Sequence, residues 1–222
     1  MTQPNPSLRA ARRKMSVQQR RQQIVSEAAS LFDLAGYSST TMDDIAKEVG
    51  VAKPTLYHYF QSKDDILHAI HEEFIDLLVT RHDQRSKTGI PPELLLLEVM
   101  ADVLDLMETH RGHVRVFFEH YRQLPEQAKG PIKLKRDQYE KTVEELFVSG
   151  IRRGVFRETD THLATLATFG MCNWAYQWYR PGGPQKPREI ATQFWNYLVS
   201  GIGTDQLTSL DESIPKPHAA TS

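Results

Sequence analysis

Apolar residues in this chain recur three and four apart, and strict alternation is hard to find, so helices rather than strands must build its core. Ile24, Ala28, Leu31, Phe32 and Ala35 form one such stripe, and Gly36 follows it where a helix commonly ends in a left-handed residue. Thr41 can cap a second, short helix with Ile45 and Val49 inward. Asp43 and Asp44 fall in its first turn, where the helix dipole favours negative charge. Gly50 ends that helix, and a third begins near Pro54, tolerated because a first-turn amide has no helical acceptor. From Ser62 a longer helix is expected toward Arg85, with Ile66, Ile70, Phe74, Leu77 and Leu78 on one face. After Gly89-Ile90-Pro91-Pro92, the residues Leu95, Val99, Val103, Leu106 and Met107 resume the pattern. Further helices are expected over Val114–Tyr121, Lys133–Arg152, Thr161–Tyr179 and Pro187–Ser200. The breaks between them fall at Pro125, Gly130-Pro131, Gly154 and the run Arg180-Pro181-Gly182-Gly183-Pro184. The expected fold class is all-α.

Hydrophobic residues make up 40% of the 222, enough to bury a core. No stretch reaches the roughly 18 apolar residues that a membrane helix needs; the run Leu94–Leu97 is flanked by Glu93 and Glu98. Basic residues near the start are not followed by an apolar run, so no secretory signal is expected. The single cysteine, Cys172, excludes an intrachain disulfide and fits a cytoplasmic location. Its neighbours Met171 and Trp174 suggest a buried structural thiol. The net charge of −1 is unevenly spread: residues 1–63 hold nine Lys and Arg against five Asp and Glu, and the remainder is acidic. A basic first part is suited to a polyanion. The expected organisation is a disordered basic arm at 1–15, a helix-turn-helix domain at 16–63, a larger helical domain at 64–204 and a disordered tail at 205–222.

The segment TTMDDIAKEVGVAKPTLYHYFQSK, Thr40–Lys63, reads as two short helices joined by a glycine turn, a helix-turn-helix whose second helix can enter a major groove. Leu56 and Phe60 face inward against Ile45 and Val49, which leaves Lys53, Pro54, Tyr57 and His58 outward. Lys53 can donate to guanine edges or phosphates, and Pro54 and Tyr57 can touch thymine methyls. Lys63 and the amides starting the next helix can hold one phosphate. An aromatic core cluster explains part of Tyr59 and Phe60, but not the polar face opposite.

From Ile24 through Lys63 the chain resembles the N-terminal domain of TetR-type regulators, with Ala35-Gly36-Tyr37, Thr40-Thr41, Ile45-Ala46, Gly50-Val51, Thr55-Leu56-Tyr57, Tyr59-Phe60 and Ser62-Lys63 in register. The resemblance implies DNA contacts from Thr41, Lys53, Pro54, Thr55, Tyr57, His58, Tyr59 and Lys63. Tyr59 stands where many members carry histidine. Arg9, Arg12, Arg13 and Lys14 precede the first helix, either as an arm reaching phosphates or a minor groove or as a solvated tail. The resemblance further implies a homodimer on palindromic double-stranded operator DNA, acting as a repressor rather than an activator and released by a small-molecule effector. Helices Thr161–Tyr179 and Pro187–Ser200 are expected to pair the subunits through Leu163, Leu166, Ala167, Phe194, Trp195 and Leu198.

The stretch Asn173–Gly183, NWAYQWYRPGG, resembles regulators of fatty-acid, steroid and aromatic-acid catabolism, several of which respond to acyl-CoA thioesters. An acyl-CoA effector is therefore expected, with another hydrophobic ligand as the alternative. Candidate ligand residues are Phe117, Phe118, Tyr121, Arg122, Arg136, Tyr139, Phe169 and Trp174, with Arg115, Lys133 and Lys135 as further cations for phosphates. No cofactor or metal is expected: there is no G-x-S-x-G, phosphate-binding glycine loop or H-E-x-x-H, and His68, His71 and Glu72 read as a helix surface. An enzyme is therefore not expected.

Overall fold

The computed structural model describes residues 15–202, so residues 1–14 of the basic arm and the tail lie outside it. Among these residues nine α-helices account for the fold. Helix α1 (Val17–Ala35) starts at a Ser16 capping box and stops at Gly36, whose φ of 84° suits a residue without a Cβ. Helices α2 (Met42–Val49) and α3 (Lys53–Tyr59) follow, then α4 (Lys63–Ser86), which Ser62 caps reciprocally with Asp65. Ile24, Ala28 and Phe32 of α1 form a buried cluster with Ile45, Val49, Leu56, Phe60, Ile66 and Ile70. Truncating one of these, such as Leu56→Ala, would cost about 2–5 kcal/mol.

Helix α5 (Pro92–Thr109) is buried nearly all round and packs on α4, α6 (Arg111–Glu119), α7 (Glu126–Arg152), α8 (Thr161–Trp178) and α9 (Pro187–Ile202). A helix apolar on every side belongs in the middle of a bundle. Two arginines of α4 fasten it to α5. Arg85 donates from Nε and Nη2 to both oxygens of buried Asp102, at 2.9 and 2.8 Å, and Arg81 Nη1 donates to Asp105 at 2.7 Å.

Several expectations change. Gly130-Pro131 does not break α7, which begins at Glu126 and runs through Pro131. The proline forfeits one hydrogen bond near the start of the helix, Gly130 has no Cβ for its ring to strike, and buried Ile132 anchors the turn. Helix α6 starts at Arg111 because His110 serves both as the end of α5 and as the start of α6. It ends at Glu119, and a 3-10 turn, Tyr121–Gln123, follows. Trp195 is core, 1% exposed against Phe156, and cannot face a second subunit. His71 is fully buried rather than on a helix surface. Cys172 is buried, with burial pushing its thiol up to about 12.

Candidate nucleic-acid interface and effector cavity

The sharp turn between α2 and α3 is set by Gly50, left-handed at φ 72° and ψ 38°, whose amide closes on the Ala46 and Lys47 carbonyls. Ahead of it, Thr41 caps α2: its hydroxyl donates to Asp44 Oδ2 at 2.6 Å and accepts from the Asp44 amide at 3.2 Å. Only Leu56 of α3 is buried, so this short helix is held by one side chain and by Phe60 after it. Lys53, Pro54, Thr55, Tyr57 and His58 are exposed together, Tyr59 is half-buried, and Thr41 stands exposed at the neighbouring helix start. A surface of this width, carrying a cation, hydroxyls, an imidazole and an aromatic ring, matches what base edges and phosphates offer.

Two of these cations already have partners. Lys53 Nζ lies 2.8 Å from Asp43 Oδ1, and that carboxylate raises its pKa. Lys63 Nζ donates to the carbonyls of Tyr37 at 2.7 Å and Thr40 at 2.8 Å and sits 4.3 Å above the Tyr37 ring. Two of its three donors thus tie the α1–α2 connection to the start of α4. Sequence spacing does not reveal this brace, since the partners are 26 and 23 residues away.

A cavity of about 590 Å³ opens between α4, α6, α7 and α8. The structure brings six of the eight candidate ligand residues to it: Phe117, Phe118, Tyr121, Arg136, Tyr139 and Phe169. Phe74, Ile75, Leu78, Leu166 and Asn173 add to the wall; the sequence marks Phe74 and Leu78 only as a core-facing stripe and does not single out Ile75. Phe74 and Phe117 rings lie 4.4 Å apart and Tyr139 and Phe169 5.8 Å apart, so the lining is mostly aromatic. Arg122 and Trp174 are not part of it: Arg122 is exposed beyond α6, and Trp174 projects outward from α8, 64% exposed. The other cations are committed elsewhere. Lys135 holds Glu72 and Asp76 of α4 at 2.8 Å, Lys133 pairs with Asp137, and Arg115 with Asp33 and Glu119. Arg136, which itself meets Asp137 at 3.3 Å, is the cation that lines the cavity, with Glu140 in the same wall.

Along the outside of α8, Leu163, Leu166, Trp174 and Trp178 are exposed at helical spacing, and Tyr197 of α9 adds to them. A stripe of this kind is a candidate interaction face. No helix among the described residues is long and apolar enough to cross a membrane.

Comparison with known proteins agrees with both halves of this arrangement. The sequence model of the tetR family of bacterial regulatory proteins matches residues 24–70, and that of the tetracyclin repressor-like C-terminal domain matches residues 91–202. The HTH-type transcriptional repressor KstR2 of Mycobacterium tuberculosis is 29% identical over 189 residues, covering 84% of this chain and 94% of its own length. The structure of the ketosteroid transcriptional regulator KstR2 of M. tuberculosis superposes with a TM-score of 0.75 at 26% identity, over 85% of this chain and 97% of that one. AibR, in complex with isovaleryl coenzyme A and operator DNA, gives 0.71 at 26% identity, over 80% and 97%.

Proposed function

The chain belongs to the tetR family of bacterial regulatory proteins, and from that premise we propose that it is a dimeric repressor whose α3 reads operator DNA and whose cavity takes an acyl-CoA that releases it. The observation that carries the reading is the joint exposure of Lys53, Pro54, Thr55, Tyr57 and His58 on a helix held from behind by Leu56. In this reading Lys53 and Tyr57 meet bases, while Thr41, His58 and Tyr59 meet phosphates. Lys63 chiefly fixes the geometry of the helix start beside them. One such helix spans only a few base pairs, so two copies are needed on a palindrome. The Leu163–Trp178 stripe of α8 with Tyr197 supplies the face for the second copy. The helix-turn-helix domain is proposed to occupy residues 16–63 and the effector and dimer domain 64–204, in a protein that acts on DNA in the cytoplasm and performs no catalytic step.

The acyl-CoA assignment draws on the cavity's size, its aromatic lining and the AibR complex. The acyl group would lie against Phe74, Phe117 and Phe169, with Arg136 toward the phosphates. The contact of Arg136 with Asp137 at 3.3 Å, and the Glu140 carboxylate in the same wall, favour a second reading, a hydrophobic ligand without CoA. Calorimetry with isovaleryl-CoA and isovalerate, each with and without a duplex selected by the protein from random sequence, separates the two. An acyl-CoA that binds and weakens the duplex complex, with reciprocal loss of its own affinity, supports the first. Equal binding of the free acid supports the second. Unchanged duplex affinity in both Lys53→Ala and Tyr57→Ala would refute the recognition helix itself.

A further inference from the structure

Helix α6 touches both halves of the molecule. On one side Phe117 and Phe118 form part of the cavity wall, Phe118 stacked on Tyr176 at 4.9 Å. On the other it lies directly on α1. A Cβ at Gly112 would fall 2.8 Å from the Ala29 carbonyl carbon, so the two backbones touch, and Arg115 Nε meets Asp33 at 3.1 Å. At its end, the His120 ring sits 6.2 Å from that of Tyr37. His120 Nδ1 is buried without a hydrogen-bond partner, so packing rather than a directional bond at that nitrogen positions the ring.

Tyr37 is the hub of the head. Its ring packs edge-on to Phe32 at 5.0 Å, its hydroxyl donates to Asp64, and its carbonyl accepts from Lys63. The same Lys63 ammonium holds the carbonyl of Thr40, the residue before the Thr41 cap of α2. A short run of contacts therefore leads from the cavity wall through His120, Tyr37 and Lys63 to the helix-turn-helix.

We infer that the His120–Tyr37 contact is the point at which occupancy of the cavity is passed to the DNA-reading head, making His120 a positioning residue for regulation. A molecule that presses on Phe117 or Phe118 pushes α6 toward α1, and the backbone contact at Gly112 blocks that approach, so the helix tilts about it. Its end, followed by a 3-10 turn instead of a long helix, is the part that can shift. Helix α4 also joins cavity to head, but it is 24 residues long and pinned by the Arg81 and Arg85 pairs to α5 and by Lys135 to α7. A signal through α4 would not need His120.

The inference rests on the reading of the chain as a ligand-released operator binder, and its test uses no ligand. Phe118→Trp enlarges the wall and stands in for an occupant. Anisotropy on a duplex selected by the wild-type protein, at fixed salt, compares wild type, Phe118→Trp, His120→Ala and the double variant. Phe118→Trp is expected to weaken DNA binding about tenfold alone and by less than about twofold on the His120→Ala background. His120→Leu, which fills the space without a ring, is measured beside Ala with the melting temperature, so that a folding defect is not read as uncoupling. It should behave as Ala does. Equal weakening on every background, or none on the wild type, overturns the inference. Failure of acyl-CoA to bind would leave this cycle unchanged and would count only against the choice of effector.

Discussion

Acid should unfold this protein through two histidines buried without adequate compensation. His71 is 0% and His113 3% exposed, and burial pushes each from 6.5 down to about 4. The Leu67 carbonyl, accepting from His71 Nδ1 at 2.9 Å, pulls partly the other way; His68 and His120 add to the depression of the first ring, and His110 to that of the second. The folded state thus holds fewer protons than the unfolded one between these values. The stability is intact above about pH 6.5 and is lost as the pH falls toward 4. At about pH 5 linkage gives about 2 kcal/mol for each ring, or about 4 for both, a large part of the roughly 5–15 kcal/mol that a folded domain has. The assay is urea unfolding at about pH 7.5 and about pH 5 for wild type, His71→Leu and His113→Leu. Each variant's pH difference should shrink by about 2 kcal/mol, because packing losses that do not titrate cancel between the two conditions. Variants with the full wild-type difference would refute the argument. His71 packs on Phe117 at 5.5 Å and Tyr121 at 6.1 Å, so acid loosening is expected at the cavity wall, where effector binding should fade before helix content does.

Asp43→Asn removes the carboxylate that holds Lys53 and should tighten duplex binding several-fold at low salt, less at high salt; an unchanged affinity in anisotropy would show that Asp43 does not compete with DNA. Leu166→Asp with Trp174→Asp places charge in the exposed stripe of α8 and should yield monomers by sedimentation while leaving the helical circular dichroism intact; a persistent dimer would move the interface elsewhere. Gly150→Ala would bring a Cβ to 2.2 Å from Phe156 Cδ2, beside buried Phe147 and Trp195. Overpacking of about 1–3 kcal/mol should outweigh the roughly 1 kcal/mol that alanine gains in a helix, and a variant as stable as wild type in urea would contradict this.

The head was legible in the sequence because what shapes it is local. Thr41 and Asp44, or Ser62 and Asp65, lie three residues apart in the chain and cap the same helix start, and Gly50 carries its own backbone preference. The body is harder to read, since a helical stripe says which face turns inward but not what it meets there. Phe74 and Leu78 belong to the same kind of stripe as Ile66 and Ile70, yet the first pair borders a cavity and the second fills a core. Trp174 and Trp195 show the limit from the other side. Both are tryptophans on late amphipathic helices, and only the rotation of each helix against α5, which its whole buried face decides, turns one outward and the other in. Charge suffers the same loss. Lys135 reads as a cation for phosphates until the fold brings up Glu72 and Asp76, 63 and 59 residues earlier. A side chain's type fixes what it can bind, and its neighbours in space decide whether it is already bound.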